Sequence, residues 1–421
     1  MDCSSHALSL PGLPVEILGI ISEFSAKSTL VALCQTNQRI HAACFRDIYH
    51  TVHLNSLASA VKCSQTFISN PIYAEEVRTL KMVCYPRRTF RRFDNLVQSA
   101  MAHLRNLESI LLHVSPSLFT PVARVHFPRL RECVISCAAD PSPFLSRNTG
   151  LASLLVLPKS DEDPSNIPPT SRIYMPVLRN FAGPGTLATA VVPHSRVWRA
   201  SIFWHLQRHT VLGYAETIAS LALSGRKVLM LDNVVTTWDT ALLAAIIAGM
   251  RHLTDLSIRN PSGPDPVQIQ VFVSYFDGVI AALPTLTSIS VTQEPLRPSG
   301  LLDPHDLEPE FSAVRRWGDI SPALRCAVLP SETAWSRVRN DVWYPATKSP
   351  NISDMLVRVK WFLMRVVTST DLCAGYVSIA EVVAGKQTVC VLRGALEDEG
   401  RIPAFEIAPD PAGMVISFVE D

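Results

Sequence analysis

The chain has 421 residues, 48% hydrophobic and 18% charged, which supplies ample material for large cores and excludes a generically disordered polypeptide. Its 38 basic and 37 acidic side chains leave a formal charge of +1, so no global field draws it to nucleic acid or an anionic membrane. The longest uncharged apolar run, Thr240 to Met250, is far short of the ~20 residues that span a bilayer, and Met1 to Ser9 lacks a secretory signal, so an intracellular protein, cytoplasmic or nuclear, is expected.

The first readable stretch is LPVEILGIISEF, from Leu13 to Phe24. Leu13, Ile17, Leu18 and Ile21 recur at helical spacing, Pro14 sits where a helix start tolerates proline, and Glu16 lies where the helix dipole favours a carboxylate. A second helix is expected from Ser28 or Thr29, carrying Leu30, Leu33 and Cys34, and a third from Arg39 to Ile48, closed by Tyr49. Three short helices bury little, so part of their apolar surface awaits a partner.

These residues resemble an F-box: the Leu-Pro-x-Glu-Ile-Leu opening, Ile21, the Leu30 and Leu33 pair, Arg39 and Tyr49, over roughly Leu10 to Leu54. The chain departs from the commonest pattern at Thr36-Asn37-Gln38-Arg39-Ile40, where many members carry Val-Cys-x-x-Trp. The resemblance implies docking on the Skp-type adaptor of a cullin-RING (SCF-type) ubiquitin ligase through Leu13, Pro14, Ile17, Leu18, Ile21, Leu30 and Leu33. The bland reading of the same stretch is an ordinary helical start to a globular domain.

Beyond the module, the template apolar-x-x-Leu-x-x-apolar-x-apolar fits Leu104/Leu107/Ile110/Leu112, Phe127/Leu130/Cys133/Ile135, Met250/Leu253/Leu256/Ile258 and Leu283/Leu286/Ile289/Val291. Looser matches are Val77/Leu80/Val83, Leu151/Leu154/Leu157 and Met175/Leu178/Phe181, and Val197 to Phe203 and Val228 to Leu231 are further candidate strands. Anchored on Leu80, Leu107, Leu130, Leu154 and Leu178, the steps are 27, 23, 24 and 24 residues, inside the period of leucine-rich repeats. Apolar helical stretches lie between them at Leu96 to His103, Ala215 to Leu223, Thr240 to Met250 and Val267 to Leu283. The expected fold is α/β: a three-helix F-box-like module (10–54), an irregular leucine-rich-repeat-like solenoid (55–345) and a helical C-terminal cap (346–421), with helices at Met355 to Val367 and Lys386 to Glu399. This layout, with the tryptophans Trp335 and Trp343, resembles fungal, basidiomycete-type F-box-like proteins. Two proline-rich segments, Pro158 to Ser171 and Glu294 to Glu310, read as a loop within the repeats and a break after the clearest ones.

Chemistry is read by exclusion. GxSxG, GxxxxGK[ST], HExxH and GxGxxG are all missing, and Gly183-Pro184-Gly185-Thr186, without a following lysine, reads as a turn. Cys34, His41 and Cys44 lack a fourth ligand, His50 and His53 flank a short strand, and the ten cysteines are scattered singly, so core thiols are expected and neither metal nor cofactor. Tyr85 to Leu96 interleaves Arg87, Arg88, Arg91 and Arg92 with aromatics, but its helical spacing favours a solvated face, or a hold on an acidic protein, over nucleic-acid binding. The expectation is a non-enzymatic substrate receptor joining the adaptor to an unknown target protein. The alternative is a repeat-based interaction scaffold whose box no longer docks; an unrecognised enzyme would need a pocket of convergent titratable groups.

Overall fold

The computed structural model describes residues 10–86, 90–136, 139–157, 172–204, 211–262, 271–293, 307–330, 333–339, 342–346, 352–366, 380, 386–398, 405–410 and 413–418. Two compact units divide the chain, Met1–Lys227 and Val228–Asp421.

The first unit opens with three helices, α1 (Val15–Glu23), α2 (Lys27–Thr36) and α3 (Gln38–His50). The carbonyl of Pro14 accepts from the amides of Ile17 and Leu18, which sets the entry to α1. Leu18, Leu30, Ile40 and Cys44 form the shared core, with Leu10, Leu13, Leu33 and Ile48 packed around it. The Lys27 ammonium donates to the carbonyl of Thr51, tying the start of α2 to the end of α3.

From there the chain alternates strand and helix. β1 (Thr51–Leu54) leads through α4 (Leu57–Ser69) and α5 (Pro71–Glu75) to β2 (Thr79–Cys84), then α6 (Arg91–Ala102), β3 (Ser109–Val114), α7 (Pro116–Ala123), β4 (Glu132–Ser136), α8 (Ser142–Arg147) and β5 (Ser153–Leu157). β6 (Asn180–Pro184), α9 (Gly185–Val191), β7 (Arg199–Phe203) and α10 (Val211–Ala222) complete it. β1 to β7 pair in chain order and in parallel. Each strand therefore joins the strand that follows it, the geometry of stacked repeats rather than of a doubly wound sheet.

Alternation along the strands shows which face is packed. Leu80 and Met82, Ile110 and Leu112, Cys133 and Ile135, Leu154 and Phe181 are buried against the helices. Their neighbours point to the other face, where Lys81, His113 and Leu157 are exposed. The four strict template matches are borne out throughout: Leu104, Leu107, Ile110 and Leu112, for example, are all buried.

The looser matches need correction. The register pairs Leu80 with Ile110, Cys133 with Leu154 and Leu154 with Phe181, so Leu80 and Leu154 occupy the third template position and not the second. Val83 and Leu157, expected inside, are 37% and 38% exposed, because period-two alternation turns Met82, Cys84 and Val156 inward instead. The Gly183 to Thr186 stretch is a strand-to-helix junction, with β6 ending at Pro184 and α9 starting at Gly185.

The second unit repeats the scheme: β8 (Met230–Val234), α11 (Thr240–Gly249), β9 (Asp255–Asn260), α12 (Phe276–Ala282), β10 (Ser288–Gln293), α13 (Leu307–Ile320) and β11 (Cys326–Val328). β8 to β11 are parallel; β12 (Ala334–Arg339) and β13 (Val342–Ala346) then add antiparallel. The expected break at Glu294 to Glu310 lies outside the described residues up to 306, and its last four residues open α13. The loop Pro158 to Ser171 also lies outside them. Trp335 and Trp343 are fully buried, and the Trp335 indole donates to the Glu310 carboxylate at 3.1 Å. The tail is not purely helical: after α14 (Ile352–Val366) and α15 (Lys386–Asp398) comes an antiparallel hairpin, β14 (Phe405–Asp410) with β15 (Gly413–Phe418).

Candidate partner-docking surface

The helical module separates the seven expected contact residues into two groups. Leu18 and Leu30 are 1% and 2% exposed and form the centre of the core. In the free chain they lie beneath the surface and support it from inside. Leu13, Ile21 and Leu33 are half-buried, while Pro14 and Ile17 are exposed. Residues that periodicity alone did not single out complete the outer face: Val15 (54% exposed), Ile20 (53%), Phe24 (83%) and, on α2, Val31 (44%).

Ile17 and Ile20 on α1 and Phe24, which caps its C-terminal end in helical conformation, follow spacing of three and four and so share one stripe. Their exposure is not the residue of an unfilled core, since Leu18, Leu30, Ile40 and Cys44 already close it. A short helix that is apolar on both its inner and outer faces fits burial against a second protein.

The stretch that departs from the F-box pattern has definite structural work. Thr36 ends α2, its hydroxyl donating to the Leu33 carbonyl at 2.7 Å. Asn37 caps α3 by accepting from the Arg39 amide at 2.7 Å, and Ile40 lies in the core at 1% exposure. The branched aliphatic at Ile40 therefore fills the module's interior, while the exposed face belongs to α1 and α2.

A second feature lies where α3 meets α5. Tyr73 stacks on Tyr49 with centroids 4.7 Å apart and tilts against Phe45 at 5.9 Å, and Phe45 stacks with His41 at 6.1 Å. Burial and the neighbouring Tyr73 hold the Tyr49 phenol above its ordinary range. An open cleft of about 410 Å³ adjoins this cluster, lined by His41, Phe45, Pro71, Ile72 and Tyr73 among others. It offers aromatic and proline surface, one imidazole, the Ser69 hydroxyl and the Asn70 amide.

The open face of the first unit's sheet presents a row in register: Lys81, Leu111, Val134, Leu155 and Ala182. The four apolar members are half-buried. Parallel sheets are usually covered on both faces, so this row, partly exposed among the described residues, is a second surface able to hold a protein.

Among the described residues no group of three or more His, Cys, Asp or Glu side chains is placed to hold a metal ion, and Cys34 and Cys44 pack against the apolar core. Among them, too, no helix is long and apolar enough to cross a membrane. The arginine run after Tyr85 lies partly outside them, at 87–89; Arg91 and Arg92 are exposed on the first turn of α6 and Phe90 is 82% exposed. The comparisons add no relative to this geometry: no protein-family model matches the chain, and no curated protein matches it.

Proposed function

We propose that the chain is the substrate-recognition subunit of a cullin-RING, SCF-type ubiquitin ligase. Its helical module docks on the Skp-type adaptor and its repeat surface holds a target protein, whose lysine is brought to a transfer centre carried by other subunits. The work is done by proximity, without reactive groups from this chain.

One observation carries this reading: Ile17 and Ile20 on α1, and Phe24 at its C-terminal end, stand exposed on a module whose core is complete without them. Helix faces of this kind bind by laying a few apolar anchors into a partner's groove. The adaptor contacts in this reading are Leu13, Pro14, Ile17 and Ile21, joined by Ile20, Phe24 and Val31, with Leu18 and Leu30 holding the face in shape. The experiment is recovery of a Skp-type adaptor with the purified full chain. Wild type recovers it, and Ile17→Ser/Ile20→Ser/Phe24→Ser does not. No recovery by wild type, or equal recovery by the variant, sinks the proposal and leaves the scaffold reading, which the half-buried row Leu111, Val134, Leu155 and Ala182 supports without any adaptor.

A further inference from the structure

The edge of the first unit from which the strands enter the sheet carries an unbalanced set of arginines. Arg129 and Arg131 lead into β4, Arg179 leads into β6, and Arg196 and Arg199 flank the start of β7. All five are exposed, and among the described residues none forms an ion pair. On the described segments that lead into β4, β5, β6 and β7, Glu132 is the one carboxylate.

Backbone hydrogen bonds fix the spacing of these side chains. The Ala152 amide donates to the Arg131 carbonyl at 2.8 Å, the Arg179 amide to the Ala152 carbonyl at 2.8 Å, and the Trp198 amide to the Arg179 carbonyl at 3.0 Å. Arg131 and Arg179 thus stand two strands apart, about 10 Å. One strand further the residue level with Arg179 is Trp198; Arg199 is the next residue, on the adjacent rung beside Asn180, within reach of the same edge through its long side chain. The bland reading is that arginines gather near helix C-termini, where the helix dipole favours cations. It accounts for Arg124, directly after α7, but not for Arg179 or Arg199, which sit on the strands' own entry points.

The choice of residue is informative as well. Between positions 82 and 226 the sequence has fifteen arginines and a single lysine, Lys159. A surface charged for solubility alone has no reason to refuse lysine, whereas the planar guanidinium fork is suited to bidentate pairing with oxyanions. An extended polypeptide rises about 3.3 Å per residue, so carboxylates three residues apart match the separation of Arg131 and Arg179.

We propose that this edge binds an acidic, extended segment of a protein partner, its Asp and Glu carboxylates paired with Arg131, Arg179 and Arg199. The inference rests on the receptor reading in supplying the chemical class of its target, but its test has its own readout. Fluorescence anisotropy measures binding of the full chain to a labelled peptide repeating Glu-Gly-Ser, to the same peptide with Gln for Glu, and to an oligo-dT strand of equal charge. The Glu peptide is expected to bind, more weakly as salt rises, and the Gln peptide is not.

Arg131→Glu/Arg179→Glu/Arg199→Glu lowers affinity at least about tenfold, since like charges then face the peptide. The corresponding triple Lys variant loses a few-fold, because it keeps the charge and gives up the fork. The Lys variant also carries the test should charge reversal impair folding. Adaptor recovery by both variants equals wild type, so failure here is separable from failure of the docking module. Undiminished peptide binding by the Glu variant, no binding by wild type, or tighter binding of oligo-dT than of the peptide would each overturn the proposal, the last in favour of a nucleic-acid partner.

Discussion

Gly318 sits inside α13 with its Cα hydrogen facing the buried indole of Trp343. A Cβ added there would lie 2.9 Å from Nε1, 3.1 Å from Cζ2 and 3.2 Å from Cε2 of that ring. In an exposed helix interior, glycine to alanine gains about 1 kcal/mol from propensity. At Gly318 the added methyl has to move a tryptophan that is 1% exposed and that also lies under the Arg337 guanidinium, 5.9 Å from the ring centroid. Overpacking of this kind costs roughly 1–3 kcal/mol. The net effect of Gly318→Ala is therefore a loss of up to about 2 kcal/mol, or several degrees in midpoint at ~2–4 °C per kcal/mol for a unit of this size. The same substitution at Gly278 in α12 or Gly394 in α15 meets nothing within 4 Å. Those two variants are expected to gain, up to about 1 kcal/mol each. Thermal unfolding of the full chain, followed by tryptophan fluorescence, reads all three. If Gly318→Ala raised the midpoint as Gly278→Ala does, β13 would not pack on α13 as described.

The module itself yields a contrast between its two faces. Leu18→Ala and Leu30→Ala each destabilise it by about 2–5 kcal/mol, whereas Ile20→Ser and Phe24→Ser, already solvated, stay within about 0.5 kcal/mol in chemical denaturation; equal costs would contradict the assignment of core and surface. Burial pushes the Cys63 thiol up to about 12 from its ordinary 9.0, so at pH 8 it resists a thiol reagent that modifies the exposed Cys390. The sign for stability follows: the unfolded chain releases the proton near pH 9.0 and the folded chain keeps it to about 12, so this contribution is whole below pH 9 and is lost between those values. Cys63→Ala should flatten that part of the pH–stability curve, and an unchanged slope would count against the raised proton affinity of this half-buried thiol.

How far the sequence could be read depended on how many physical constraints each position satisfied. Where four template positions were apolar, as at Leu104/Leu107/Ile110/Leu112, strand and inward face were both legible, because only one register buries all four. Where three are apolar, a one-position ambiguity remains: the spacing of Leu151/Leu154/Leu157 puts Leu154 on the second rung, and the ladder puts it on the third, in the strand expected. The parallel pairing in chain order follows from the repeat period, but the antiparallel turn to β12 and β13 has no periodic signature; its only trace was the pair Trp335 and Trp343, now seen inside the core.

At the docking surface the difficulty was different in kind. Ile17 and Leu18 are adjacent apolar residues, and the 3.6-residue period places both near one stripe without saying which side meets the module's own core. Only the three-dimensional closure of Leu18 on Leu30, Ile40 and Cys44 turns Ile17, Ile20 and Phe24 outward. The arginine edge was illegible for a related reason: Arg131, Arg179 and Arg199 are far apart in sequence and become neighbours only through the ladder.

As proposed, adaptor docking rests on the outer face of α1 and the residue that ends it. Ile17, Ile20 and Phe24 have 41%, 53% and 83% of their surface still to bury. At about 2 kcal/mol for a fully buried side chain of this type, removing all three should cost about 3.5 kcal/mol of adaptor binding, a few hundred-fold in Kd. Titration calorimetry of a Skp-type adaptor against the full chain, wild type and Ile17→Ser/Ile20→Ser/Phe24→Ser, makes the decisive comparison. Wild type is expected to form a saturable complex, and the variant to lose it while unfolding at the same temperature. A wild-type chain that releases no heat of binding, or a triple variant that binds within about threefold of it, would contradict the docking claim.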